Sequence, residues 1–232
     1  FYKMWTDAVN KKSTFEPIEV HWSEVPGRDE KWKQETIKNT SEAQFQTEFE
    51  CEFLGSVDTL INASKIKTMP VATPIRSGGL DVYEMPISNH IYTMCVDVSR
   101  GLSNDYSAFV VLDVTQAPYK IVAKYRNNEI KPLVFPSVIE KVAKNYNNAF
   151  ILVEINDLGQ QVADNLQFEL EYDNMMMVTQ RGRSGQVLGG GFSGRGNQLG
   201  LRMTKGTKKI GTSNMKSLIE ADKLIIQDFD II

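Results

Sequence analysis

Hydrophobic and polar residues follow two different periods along this chain, and the change comes near His90. Ahead of it the spacing is mostly helical. Phe1–Asn10 predicts a short amphipathic helix, and Asp29–Asn39 a charged helix entered after the turn-forming stretch VPGRD. Ser41–Glu52 predicts a further helix, with Ser41 as N-cap and Phe45, Phe49 and Phe53 at i, i+4 and i+8 on one core-facing stripe. Glu19–Ser23 (EVHWS) reads as a short strand. Gly55, Pro70, Pro74, Gly78, Gly79 and Pro86 then punctuate a stretch expected to hold a linker, turns and a short strand or two. The expected organisation is a small, mainly helical unit over residues 1–56 and a larger domain over 57–232.

Beyond His90 the period shortens to that of strands. Ile91–Val98 (IYTMCVDV), Ser107–Val114 (SAFVVLDV) and Tyr119–Asn127 predict three strands with short turns, an antiparallel meander. Phe135–Tyr146 predicts a helix with Val138, Ile139, Val142 and Ala143 on one face. Phe150–Ile155 (FILVEI) is almost wholly apolar, as a strand buried on both faces would be. A helix over Gly159–Leu170, a fifth strand over Met175–Thr179, a helix over Thr212–Ala221 and a strand-like Leu224–Ile232 complete the pattern. This order describes an α/β domain with a mixed sheet.

Composition narrows the class. The chain has 232 residues, of which 41% are hydrophobic and 24% charged. No apolar run reaches the ~20 residues of a membrane span, so no membrane partner is expected. The opening FYKMWTDAVNKKST lacks the apolar core of a signal peptide, and without an initiator Met it is expected to lie inside a longer protein. Two cysteines, Cys51 and Cys95, make no disulfide framework, and Cys95 is expected to be a reduced, buried thiol. The net charge is only -3, but its distribution is uneven. Gln180–Ile210 contains no Asp or Glu, nine of the sixteen Gly, and Arg181, Arg183, Arg195, Arg202, Lys205, Lys208 and Lys209. Such a tract can be a plain surface loop or a loop that neutralises DNA phosphates while glycine lets backbone N–H groups approach them.

Candidate chemistry lies in the strands. Asp97 and Glu154 each interrupt an apolar run. Either could cap a turn alone. In neighbouring strands they could converge, and two carboxylates a few Å apart remain ionised together only around a cation. Oxygen ligands of this kind suit Mg²⁺. Asp105 and Asp157 read as turn residues, although Asp157 is close enough to Glu154 in the chain to touch a second ion, and Asp228 and Asp230 could add a ligand or form the wet face of an edge strand. The chain has no GxxxxGK[ST] loop for nucleotide phosphates, no zinc-like Cys/His spacing, and only His21 and His90 for triad chemistry.

A first-strand Asp (MCVDVSRG), a helix and then a strand bearing Glu (LVEIND) resemble the RNase H-like nuclease fold. More narrowly, VDVSRG followed by VEINDLG resembles the C-terminal nuclease domain of the large terminase subunit of T-even-type tailed bacteriophages. FYKMW, HWSEVPGRDEKWKQETI and SEAQFQTEFECEFLGS resemble the end of the ATPase module of that family. The resemblance implies a motor that packages viral double-stranded DNA and cuts the concatemer. It makes Asp97 and Glu154 catalytic, with Mg²⁺ as cofactor and Mn²⁺ as a substitute. The third catalytic acid is expected beyond Ile232 or near Asp228 and Asp230, and ATP is expected to serve only the parent protein. Implied partners are the portal protein, the small terminase subunit and the remaining ATPase module. The implied location is the host cytoplasm at the portal vertex of the prohead, not the mature virion. Two alternatives stay open: a non-catalytic DNA-gripping module, or another RNase H-like nuclease such as a junction resolvase.

Overall fold

The computed structural model describes residues 2–50, 60–61, 63–103, 105–180, 186–189, 197–228 and 231. The chain forms two compact units, Phe1–Lys67 and Thr68–Ile232. The expected 56/57 boundary and Phe53 fall outside the described residues.

The first unit holds α1 (Tyr2–Val9), α2 (Glu30–Asn39), α3 (Glu42–Glu48) and α4 (Ala63–Thr68). Asp29 and Ser41 cap α2 and α3 by accepting from the backbone N–H groups of Trp32 and Gln44. The expected strand over Glu19–Ser23 is absent, and Trp22–Glu24 forms a 3-10 turn capped by His21. A lone strand would leave its backbone groups unpaired. Trp22 instead anchors the turn, stacking on Trp32 at 6.2 Å and meeting Phe45 edge-on at 5.9 Å. The helix α4 was not legible among the prolines and glycines around it.

The second unit is built on a six-stranded mixed sheet. Five of its strands are β1 (Leu80–Val82), β2 (Tyr92–Asp97), β3 (Ser107–Asp113), β4 (Tyr119–Asn127) and β5 (Phe150–Val153), in the order β1-β4-β3-β2-β5, and a sixth from the end of the chain pairs with β4. The meander β2–β3–β4 is antiparallel as the short turns required, and β5 returns parallel to β2 after α5 (Phe135–Asn145). Helix α6 (Gly159–Asp164) runs on into a π turn over Asn165–Glu169.

One face of this sheet carries the core. Met94, Val96, Phe109, Val111, Ile151 and Val153 are buried with Phe135 and Ile139 of α5 and Val162 and Leu166 near α6. Phe109 stacks on Tyr125 at 5.0 Å and on Phe135 at 6.1 Å. The alternate positions of β2 and β5 face the other way and are less covered: Cys95 and Asp97 are exposed, and Phe150 is 45% exposed. FILVEI is therefore buried on one face only, and Cys95 is open to solvent on the other face although the protein packed around its thiol still raises its pKa, so it is only in part the buried thiol expected of it. Apolar residues on both faces hide the alternation that would have shown this.

After the π turn the chain departs from expectation again. Met175 makes one parallel bridge to Ile151, and then β6 (Met177–Gln180) leaves for a separate antiparallel sheet with β7 (Gln186–Gly189) and β8 (Asn197–Leu199). The described parts of the glycine-rich tract thus include two short strands. Helix α7 (Lys205–Glu220) begins earlier than predicted, capped by Thr204 with a reciprocal bond to Thr207. Lysines in a first turn oppose the helix dipole, which masked this start. The last strand, β9 (Leu224–Ile225), has only two residues and pairs parallel to β4. Among the described residues no helix is long and apolar enough to cross a membrane.

Gly159 fixes α6 against the end of β5. A Cβ there would stand 1.8 Å from the carbonyl oxygen of Glu154. Gly159→Ala is expected to destabilise the fold by about 1–3 kcal/mol, measured as a lowered midpoint in urea unfolding.

Candidate active site

The turn of the sheet from β2 to β5 determines what this site can do. The parallel register pairs Val96 with Val153, and the Glu154 N–H donates to the Val96 carbonyl at 2.8 Å. The next residue on each strand is a carboxylate. Asp97 and Glu154 therefore stand side by side at the C-terminal ends of neighbouring strands, on the less covered face. Among the described residues neither side chain has a hydrogen-bond or ion-pair partner.

The backbone behind Glu154 is held from several sides. The Leu201 N–H donates to the Val153 carbonyl at 2.8 Å, and the Ile155 N–H donates to the Leu201 carbonyl at 3.0 Å. Gly200, at φ +76, comes so close that a Cβ would lie 2.4 Å from the Val153 oxygen. Asn156 clamps Met203 in both directions, donating to its carbonyl at 3.0 Å and accepting from its N–H at 3.1 Å. This clamp delivers the chain to the first turn of α7, where Lys208 is near enough to act on Glu154 electrostatically.

Burial first, and then the charge of Asp97, raise the Glu154 carboxyl above its ordinary range, while Lys208 pulls the other way. Asp97 borders two cavities. One is a polar cavity of about 430 Å³ shared with Ser99, Arg100, Asp105, Tyr106 and Asp157. The other is an apolar groove of about 320 Å³ with Cys95, Val110, Leu152, Leu201 and Met203, and Glu154 also lines it.

The remaining candidates are placed as follows. Asp157 is in a left-handed turn at φ +48 and accepts two hydrogen bonds from Arg100, at 2.8 and 3.0 Å. That guanidinium holds its carboxyl below the usual range. Asp228 is 3% exposed and is bound by Tyr83 and Lys124, with Lys124 on β4, two strands from β2. It is thus neither on the wet face of an edge strand nor gathered with Asp97 and Glu154. Asp230, Arg181, Arg183 and Arg195 lie outside the described residues. Arg202 is exposed just before α7, and Lys205, Lys208 and Lys209 are exposed on its first turns. Among the described residues no group of three or more Asp, Glu, His or Cys side chains is close enough to hold an ion.

The donor set fits a divalent cation in one respect. Two unpartnered carboxylates repel each other across neighbouring strands, and a hard ion that keeps several waters needs only one or two protein carboxylates. The sequence pattern places Arg100 and Asp105 only in the turn after β2 and gives Asn156 no role. Arg100 lies within the VDVSRG motif, but only the fold brings it to Asp157.

A family model described as the terminase RNaseH-like domain matches residues 94–230. Among solved structures, the chain is similar to the large terminase nuclease from thermophilic phage G20c with bound magnesium. The identity is 17%, covering 76% of this chain and 78% of that one, with a TM-score of 0.57. The same nuclease with bound cobalt gives 18% identity, 75% and 76% coverage, and a TM-score of 0.55. The Thermus phage P74-26 large terminase nuclease domain is similar at 16% identity, with 72% of each chain covered and a TM-score of 0.52. At these identities the likeness shows a shared fold, a mixed sheet with flanking helices, which the matching family model describes as RNaseH-like.

The raised Glu154 carboxyl has a signed consequence. A carboxyl whose folded pKa is raised contributes stability below its unfolded pKa and loses it as pH rises through the folded value. Glu154→Gln is therefore expected to raise the melting temperature at neutral pH by ~1–3 °C. The gain should disappear in acid, where the parent carboxyl is protonated too. A thermal melt series in metal-free buffer from acid to neutral pH measures it.

Proposed function

We propose, from the premise that this chain belongs to the terminase RNaseH-like domain family, that it is the metal-dependent endonuclease domain of a viral terminase large subunit. It cuts concatemeric double-stranded DNA during genome packaging and contributes to moving DNA into the prohead. The observation that carries this reading is the side-by-side placement of Asp97 and Glu154 at the C-terminal ends of parallel strands, without partners among the described residues. Asp97 and Glu154 would hold Mg²⁺, with Mn²⁺ as a substitute. When bound, such an ion supplies an activated water and charge neutralisation for phosphodiester hydrolysis.

The protein's own groups do the rest. Asp97 and Glu154 are fixed by the β2–β5 register and by the Gly200 and Asn156 contacts, so the site is rigid before DNA arrives. Lys208 offsets the negative charge around Glu154. Arg202, Lys205, Lys208 and Lys209, with Arg181, Arg183 and Arg195 in the same acid-free tract, would neutralise backbone phosphates. Contacts to phosphate carry no base information, which suits cutting with little sequence preference. The first unit, Phe1–Lys67, would be the end of the ATPase module. A T-even-type lineage, the portal and small-subunit partners, the portal-vertex location and ATP use by the parent protein belong to the same proposal.

A second reading has an observation of its own. Among the described residues no third acid joins the pair. A DNA-gripping module without cleavage would show salt-sensitive DNA binding and no cutting in either Mg²⁺ or Mn²⁺.

Plasmid nicking distinguishes the two. Asp97→Ala is expected to lower Mg²⁺-dependent nicking by on the order of 10³-fold, since an ion contributes several kcal/mol to such a step. DNA binding measured in the same buffer should be spared. Equal nicking by variant and parent would refute the assignment.

A further inference from the structure

Arg100 and Asp157 form a forked ion pair in the lining of the 430 Å³ cavity, which Asp97 also lines. Both side chains are open to solvent, at 65% and 53% exposure. The backbone beneath Arg100 is fixed. The Ser99 N–H donates to the Ser107 hydroxyl at 3.0 Å, and Lys131 donates to the Gly101 carbonyl at 2.9 Å. A rigid base with an exposed guanidinium head describes a side chain that can change partner without moving the chain.

Electrostatics favours such a change. Asp97, Asp105 and Asp157 all line this cavity, and together they would repel a phosphodiester approaching Asp97. Among the described residues, Arg100 is the cationic residue lining it. The guanidinium fork that now spans two carboxylate oxygens fits two phosphate oxygens equally well. Exposed ion pairs contribute little net stability, so the exchange costs little. Arg126, stacked on Tyr106 at 3.8 Å, places a second cation beside the cavity.

We infer that Arg100 is a phosphate-binding side chain kept in reserve by Asp157, which it leaves for a DNA phosphate beside Asp97. This rests on the nucleic-acid reading given above. It predicts opposite effects from the two halves of one ion pair, which no purely structural role does.

The test is fluorescence anisotropy of a labelled DNA duplex with the full chain, in EDTA, over about 50–200 mM salt. Arg100→Ala should weaken binding by roughly tenfold and reduce the slope of log K against log salt by about one. Asp157→Asn keeps a residue tolerant of the left-handed turn and should tighten binding by roughly threefold, because the guanidinium is released. The double variant should behave as Arg100→Ala. Equal weakening by both single variants, with equal loss of melting temperature, would mean that the pair only staples the turn and would overturn the inference. A parent chain with no salt-dependent DNA binding would instead refute the nucleic-acid reading itself.

Discussion

Two like charges set the terms for this structure. The parallel register of β2 and β5 leaves Asp97 and Glu154 adjacent at the strand ends, on the face away from α5 and α6. Repulsion between them, added to partial burial, makes the ionised pair costly as it stands. The fold nevertheless holds the Glu154 backbone through Leu201, Gly200 and the Asn156–Met203 clamp, and the β2–β5 register sets Asp97 beside it. A costly arrangement that so many contacts hold in place is what a preformed ion site requires.

The positive groups around the pair belong to the same electrostatic arrangement. Lys208 acts on Glu154 from the first turn of α7, although lysines there oppose the helix dipole. Arg100 is held by Asp157 on the opposite flank of Asp97, at the polar cavity. Asp228 shows the contrasting case. Its carboxylate is buried, but Lys124 and Tyr83 satisfy it, so it acts as an anchor for the segment after β9.

Much of the sheet was legible because its strands are regular. The meander from Tyr92 to Asn127, helix α5 and the N-cap Ser41 follow from period and capping residues alone. Asp97 and Glu154 were found as acids interrupting apolar strands. They do not interrupt a doubly buried core, since both stand on the less covered face with Cys95 and Leu152. The expected strand at EVHWS failed because Trp22 is claimed by an aromatic cluster that sequence spacing does not reveal. The Arg100–Asp157 pair joins residues 57 positions apart, and only tertiary folding brings them together. The start of α7 was hidden by the same lysines that give the tract its basic character.

The central proposal is that Asp97 and Glu154 share a divalent ion. Crystals soaked in Mn²⁺ and recorded at a wavelength with manganese anomalous scattering test it most directly. The account predicts one anomalous peak between the two carboxylates, within ~2.0–2.4 Å of an oxygen from each. The peak should be lost in Asp97→Asn. A peak bound elsewhere, or none at all with both carboxylates turned to protein donors, would contradict it.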